Sequence, residues 1–503
     1  EIFPLGDPRC SNRSSQNGIV FDTGYGTCIA QDGNGVERYN LWGLTQKRGK
    51  LERQNLLVFI NSELSNGVET FTEIGYYTSE SERRNHPSYA FTSSKHRVGP
   101  DNYWLNQMTL PDGTAHFAGY ELYIDNYRYA EVPRMTFVDK ETYRFLQGFR
   151  GTTGNWDWET ALVYSKATSD DLTKNRISNT LLKEALYDDT PAAYNPFSAG
   201  VASNIERVLV DVTRFGTSSL TSFDFKMVNP EMFTLPAGPV AVLLGFEVRD
   251  EVITDNRDDR LDGTIDYCDY ENDCYPLVAD VVNSSPTGDV AGERQTTSLF
   301  VELNAPITDS ISTQLAVRHE SSDDFASATV GKFAIGWEVN PSLSLRASAS
   351  TAFRAPNIIQ LNEGGVVRSG TRDDWVVQRV QDILNEAGGY DGDTNITDSD
   401  IDSSYTIQRR AIGGNKLDAE ESTNGSIGLV YTPEMVPGLM VTLDQWSIEK
   451  EKTIGLFGRE NQIVNDMLLR FENGLNNCNS FIGDPLVVRE APDAGDAGYF
   501  TAA

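Results

Sequence analysis

PSLSLRASASTAFRAPNIIQL, residues 341–361, is a β-strand that runs into a turn. Side chains alternate along a strand with a period of two. Leu343, Leu345, Ala347, Ala349, Thr351 and Phe353 therefore share one face, and Ser344, Arg346, Ser348, Ser350, Ala352 and Arg354 share the other. An apolar stripe backed by small polar groups and arginines suits a barrel wall with lipid outside and water inside. A strand of a soluble sandwich alternates in the same way, so one segment leaves both architectures open.

Recurrence separates them. Just upstream, Phe333, Ile335, Trp337 and Val339 lead through Asn340-Pro341 into the quoted strand. Before them, Leu299, Val301 and Leu303 face one way with Glu302 opposite. After a turn at Pro306–Ser310, Ile311, Thr313, Leu315 and Val317 return, with Gln314 and Arg318 on the wet side. Val242, Leu244, Phe246 and Val248 alternate with Glu247 and Arg249, and Trp156, Trp158, Leu162 and Tyr164 stand opposite Asp157 and Glu159. Near the start, Leu56, Val58, Ile60 and Leu64 reach a tight turn at Ser65–Gly67. Thr70, Thr72, Ile74 and Tyr76 come back with Glu73 on the other side. Downstream, Ile427, Leu429 and Tyr431 pass through PEMVPG to Leu439, Val441 and Leu443. Tight turns alternate with long polar loops, as in an outer-membrane barrel. The long loops are expected at about 1–48, 80–120, 250–292, 362–410 and 472–503, and a short helix within Ile177–Tyr187. The fold class is thus all-β, a large antiparallel transmembrane β-barrel occupying residues 1–503 as one domain. Roughly a dozen to sixteen strands are visible, and a barrel cannot leave strand edges in lipid, so the wall is expected to be incomplete.

Composition agrees. The chain has 503 residues and a formal net charge of -31, from 73 acidic and 42 basic side chains. That balance excludes nucleic acid as a partner, since phosphate binding needs a basic surface. Four histidines leave little room for histidine-based chemistry, while 23 Phe, 21 Tyr and seven Trp suit strands with aromatic rings at their boundaries. No apolar run of about 18 residues is present, which excludes helical spans and leaves a barrel open. Glu1 lies in loop-like sequence without a signal peptide, so the chain reads as processed or truncated.

Cys10 and Cys28, and Cys268 and Cys274, lie in Gly/Asp/Asn-rich loops and are expected to form two local disulfides on the external side. No histidine or second CxxC completes a zinc set. Cys478 has no obvious partner. Asp255, Asp258, Asp259 and Asp262 in one loop, and Asp391, Asp393, Asp398, Asp400 and Asp402 in another, offer the hard oxygens calcium prefers. They do not follow the EF-hand register, and a hydrated acidic outer face is the simpler explanation. No other cofactor is expected.

LRASASTAFRAPNIIQL (345–361), GGNKLDAEES (413–422) and GLVYTPEMVPGLMVTLDQWSIE (428–449), in that order, resemble the barrel of TonB-dependent outer-membrane receptors. Phe353-Arg354-Ala355-Pro356 matches the turn that closes a strand in that family. Gly414, Asn415, Leu417 and Glu420 match a Gly-Asn-Pro-x-Leu-x-x-Glu segment, with Lys416 in place of its proline. Asp444 matches the Asp of an Asp-Tyr-like pair, followed here by Gln-Trp. LPAGPVAVLLGFEVRDE (235–251) is similar to the family's glycine-then-Glu-x-Arg strand. The resemblance implies a twenty-two-stranded barrel, a plug inside it and a segment that pairs with the TonB complex; neither plug nor pairing segment is matched here.

It also implies energised uptake of a scarce nutrient: a ferric siderophore, a cobalamin-like cofactor, a saccharide or another large solute. The expected surroundings are outer-membrane lipid and lipopolysaccharide of a Gram-negative cell. Arg318 and Arg346 are candidates for a basic lumen patch, and Arg354 and Glu420 for wall positions that touch solute or plug. For the last two, a structural role is the simpler reading: Arg354 anchoring its turn and Glu420 pairing with a nearby arginine. A second functional class is an adhesin or polysaccharide-binding β module, which acidic, aromatic, disulfide-bearing loops would also serve. A rim hydrolase is the third. His86, His96 and His116 are close in sequence, but no nucleophile motif accompanies them, so no enzyme is expected.

Overall fold

The computed structural model describes residues 2–4, 19–22, 27–31 and 45–488, except 66, 91–95, 108–112, 114–116, 118, 125–126, 199–202, 389–396, 398–403, 415–416, 456–457 and 473–482. Twelve strands form one antiparallel sheet. They are β1 (Lys50–Glu63), β2 (Glu69–Asn85), β3 (Arg134–Thr153), β4 (Trp156–Ile177), β5 (Leu209–Leu235), β6 (Gly238–Arg257), β7 (Val290–Thr308), β8 (Ile311–Ser322), β9 (Ala328–Asn340), β10 (Leu343–Arg354), β11 (Glu420–Tyr431) and β12 (Val441–Glu451). Each pairs with its neighbours in this order, so the sheet is an uninterrupted meander. It is open, with β1 and β12 at its edges among the described residues.

Register brings the apolar residues of successive strands into rows. Val58, Ile74, Phe145 and Tyr164 follow one another across β1 to β4. Leu244, Val301 and Val317 do so across β6 to β8, and Leu345, Leu429 and Leu443 across β10 to β12. These side chains stay outside any protein core: Leu244 is 40%, Phe333 45% and Val317 48% exposed. An apolar face so wide is tolerable only against lipid. The opposite face carries Glu73, Arg144, Glu159, Lys226, Glu247 and Arg318, as the alternation predicts.

Strands β2 to β7 are 17 to 27 residues long, whereas β8 to β12 have 11 to 13. At about 3.3 Å per residue, β5 extends roughly 90 Å, far more than a tilted strand needs to cross an apolar band of about 25 Å. The taller strands therefore rise beyond the bilayer, where both faces meet water and alternation fades. For this reason two connections begin later than the sequence pattern predicts. The one placed at 80–120 opens after Asn85, and the one placed at 250–292 opens after Arg257. At the other end the turns are tight. Gly67 (φ 80°) and Gly154 (φ 61°) occupy the left-handed region that such hairpins require and that glycine adopts without strain.

Three long connections, 86–133, 178–208 and 258–289, share the end opposite those turns and fold together into a cap. Their apolar core contains Leu105, Tyr129, Leu182, Leu186, Tyr194, Val208 and Val282, with Ile177 from the end of β4. The expected helix is present as α1 (Asn179–Leu186). Ser178 caps it by accepting from the Leu181 amide, and its buried face is Asn179, Leu182, Ala185 and Leu186. After β10, the short helix α2 (Ile358–Asn362) packs on β7.

Residues 365–411 and 455–503 form a separate compact unit. It holds the hairpin Val366–Asp373/Ser404–Ala411 and two helices, α3 (Trp375–Glu386) and α4 (Arg459–Glu472), which touch each other. Asp466 is fully buried in it, paired with Arg470 at 2.9 Å and accepting the Asp484 amide at 2.9 Å.

Candidate functional site

The polar face of the wall is a field of ion pairs built by register. Glu247, Ser298 and Glu320 form one row across β6, β7 and β8. Arg318, two residues along β8, reaches over that row. Its Nη2 donates to Glu247 Oε2 at 2.9 Å, Ser298 Oγ at 2.8 Å and Glu320 Oε2 at 3.0 Å. Ser298 is 1% exposed, and Arg318 supplies the buried hydroxyl with its partner while staying partly exposed itself.

Arg346 likewise reaches across a neighbouring strand. It pairs in register with Gly428 and passes above it to Asp444, with Nη2 to Oδ2 at 2.6 Å and Nε to Oδ1 at 2.9 Å. Arg354 and Glu420 face each other directly across β10 and β11 and pair at 3.3 Å, while Glu420 also accepts the Ile454 amide at 2.8 Å. Arg354 and Glu420 come together as a lock at the end of β10. Arg318 and Arg346 stand on strands separated by β9, each matched to its own carboxylates.

The turn after Arg354 is held by a residue that sequence reading did not single out. Arg294, 7% exposed on β7, donates through Nη2 to the Pro356 carbonyl at 2.6 Å and through Nε to Asp324 at 2.7 Å. Asn357 and Gln360 then form a reciprocal capping box that starts α2. Ile358 is buried and lies over Gly292, where a Cβ would come within 2.4 Å of Ile358 Cγ2. Alternation alone marks Arg294 as inward, but nothing local announces its long-range carbonyl partner.

In the cap, buried polar groups join the three connections. His96 Nε2 lies 2.7 Å from Asn179 Oδ1, and Asn179 Nδ2 donates to the Ala279 carbonyl at 2.8 Å. Asp280, fully buried, accepts from Ser178 Oγ at 2.8 Å and the Thr180 amide at 2.9 Å, and pairs with Arg260. Burial pushes the His96 imidazole down to about 4, against the hydrogen bond that it donates to Asn179, which favours the charged form.

The outer surface of the cap is aromatic and acidic. Tyr187 stacks on Tyr270 with centroids 3.6 Å apart and donates to Glu121 Oε1 at 2.8 Å. Arg97 pairs with Glu121 and Glu271 and lies over the Tyr123 ring. Tyr120, Tyr123 and Tyr270 are 59% to 71% exposed.

Cys268 and Cys274 are bonded, at the cap end and away from the tight turns. Cys28 lies in the strand Thr27–Gln31, but its side chain is outside the described residues, as are Cys10 and Cys478. Three of the four acidic candidates of the first loop, Asp255, Asp258 and Asp262, are engaged with protein donors. Asp255 accepts from Arg214 at 2.6 and 2.7 Å and from Arg257 at 2.9 Å. Asp258 caps the short helix Asp259–Asp262, and Asp262 accepts from Thr264. The carboxylates that approach one another are Asp269, Glu271 and Asp273, inside the disulfide loop. There Asp269 already accepts two amides and the Tyr275 hydroxyl. Asp391, Asp393, Asp398, Asp400 and Asp402 lie outside the described residues, as does His116; His86 is exposed beside Arg128 and Arg134.

A family model described as TonB dependent receptor-like, beta-barrel, matches residues 102–466. The chain belongs to that family. TonB-dependent receptors are outer-membrane proteins of Gram-negative bacteria, so the apolar face meets lipid and the ion-paired face lines the lumen. Similar solved structures include the siderophore receptor PirA from Acinetobacter baumannii (13% identity, TM-score 0.45, covering 80% of this chain and 44% of that one). A ferric enterobactin receptor from Pseudomonas aeruginosa in complex with enterobactin shows 14% identity and a TM-score of 0.41, covering 82% and 45%. The RagAB peptide importer shows 10% identity and a TM-score of 0.42, covering 79% and 40%. The chain thus spans less than half the length of each. Among curated proteins, none matches it.

Proposed function

We propose that this chain is wall and outer loops of a receptor for TonB-energised uptake of a scarce solute: a ferric siderophore, a cobalamin-like cofactor, a saccharide or another large nutrient. The observation that supports it best is the two-sided meander. One face is apolar from β1 to β12, the other carries charges matched strand by strand, and the long connections gather at one end as a folded cap. A wall of that kind admits a polar solute past a wet surface, and the cap presents tyrosines and carboxylates where a solute first arrives. Energy would come from the TonB complex acting through a plug segment. No bond of the solute is made or broken in this reading.

The test is uptake in the native host. Deleting the gene should abolish growth on one limiting nutrient while leaving rich-medium growth intact, and inactivating TonB should give the same phenotype. Uptake that persists without TonB would overturn the transport reading, and surface adhesion lost with the gene would favour a binding module.

A further inference from the structure

The wall arginines described above all meet carboxylates. At the mouth, Arg134, Arg176 and the cap's Arg128 meet none among the described residues. Arg134 opens β3 opposite Asn85, on the polar face. Near the end of β4 a register shift between Thr173 and Arg176, with Asn175 at φ 60°, changes the parity of the strand and turns Arg176 to the same face. Arg128 comes from the cap, its guanidinium 4.2 Å above the Tyr89 ring.

Arg128 Nη1 and Arg134 Nη2 lie 3.4 and 3.5 Å from one atom, Nδ1 of His86, so the two cations stand side by side. Arg176 is within electrostatic reach of Arg134. Every other acceptor these arginines have among the described residues is neutral: the Pro87 carbonyl for Arg128, the His86 carbonyl for Arg134, and the Val282 carbonyl and Ser284 hydroxyl for Arg176. Arg176 Nε is buried with no hydrogen-bond partner among the described residues. Among the described residues no carboxylate forms an ion pair with any of the three, in a chain with 73 acidic side chains to offer.

We propose that Arg128, Arg134 and Arg176 bind an oxyanion group, a carboxylate or phosphate, carried by the incoming solute. Three like charges held together by neutral acceptors repel one another, and an anion among them would relieve that repulsion while taking up the unused donors. Planar guanidinium forks fit carboxylate and phosphate oxygens better than a lysine would. The face on which Arg134 and Arg176 sit is turned away from the apolar band, so a dissolved ligand reaches it and membrane lipid does not. This inference rests on the uptake reading and adds the charge class of the solute.

Calorimetric titration of the full chain in detergent, at neutral pH and low salt, tests it with citrate and with inorganic phosphate as probes. Citrate should bind, and more weakly as sodium chloride is raised. Arg128→Gln and Arg134→Gln should each weaken it by about tenfold or more, the loss of one charge-assisted pair. Arg150→Gln, at the tight-turn end beside Glu69, should leave it unchanged. Because Arg176 also ties down the 282–284 segment, Arg176→Gln is interpreted only if heat-modifiable electrophoretic mobility shows an intact barrel; the other two variants carry the test otherwise. Failure of both anions to bind, or binding unaltered in the Arg128/Arg134 double variant, would overturn the site. So would arginine-dependent binding confined to lipopolysaccharide-containing vesicles, since the ligand would then be a lipid phosphate. Titration of purified protein involves no TonB, so the anion site and the uptake reading can fail separately.

Discussion

Gly428 has no side chain because Arg346 crosses above it. A Cβ there would come 2.0 Å from Asp444 Oδ1 and 2.8 Å from Arg346 Nε, so any other residue would break the bridge between β10 and β12. His96 is the counterpart in the cap, a residue whose chemistry is set by what surrounds it. Asn179 uses its amide nitrogen on Ala279, which leaves its oxygen to accept the Nε2 proton of His96. Nδ1 is buried without a partner among the described residues, so a second proton finds no acceptor there. With the imidazole held down to about 4, against about 6.5 in an unfolded chain, the unfolded state takes up the proton first. The stabilisation is therefore complete above about pH 6.5 and is lost progressively as pH falls towards 4, to a total of about 3 kcal/mol. Amide hydrogen exchange of α1, corrected for intrinsic chemistry, should quicken as pH is lowered from 7.5 to 4.5. His96→Gln should flatten that response; a response that survives the substitution would assign it to another group.

The elements divide by their surroundings. Strands β8 to β12 are just long enough to cross a bilayer, and their limits match the alternation. Strands β2 to β7 continue into water, where their upper parts lean on the cap. The cap needs an apolar core of its own because its loops are solvated, whereas the wall needs none on its lipid side. The hairpin closed by Cys268–Cys274 is an accessory to this cap. The bridge spans a sequence separation of six, so on chain entropy alone it contributes about 2 kcal/mol, acting on opening of that hairpin. Replacing both cysteines by serine should raise hydrogen exchange in 266–279 severalfold and leave thermal unfolding of the barrel within a few degrees of the parent. A collapse of barrel stability would show that the loop does more than decorate the cap.

At the largest scale the twelve-stranded wall is inside out: one face carries the charges and the other presents hydrocarbon to lipid. Phe333→Arg, in the apolar band beside Leu315 and Ala349, should cost about 2–4 kcal/mol and impair assembly into vesicles. Ser348→Lys, one register row away on the lumen face, should assemble like the parent. Folding into lipid followed by gel mobility would separate the two. Equal tolerance of both changes would mean that the assignment of faces is wrong.

The period of two in segments such as 343–354 was enough to assign strand, face and membrane, because alternation is local and lipid rewards it directly. FRAP and the following motifs were enough to name the family, and the stretch Ile177–Tyr187 was enough to expect a short helix, whose cap at Ser178 only the structure showed. Ion pairing across strands was not readable, since Arg318 meets Glu247 and Arg346 meets Asp444 only after register is set by the whole meander. The loop carboxylates looked alike in sequence, and only folding revealed that Asp255 serves arginines and Asp258 caps a turn. The unpaired arginines were equally hidden: one bulge at Asn175 turns Arg176 inward, and the fold of the 86–133 connection brings Arg128 and Arg134 to the same histidine. Local pattern specifies which way a side chain points, but which charges become neighbours, and which are left without one, depends on contacts made between distant parts of the chain.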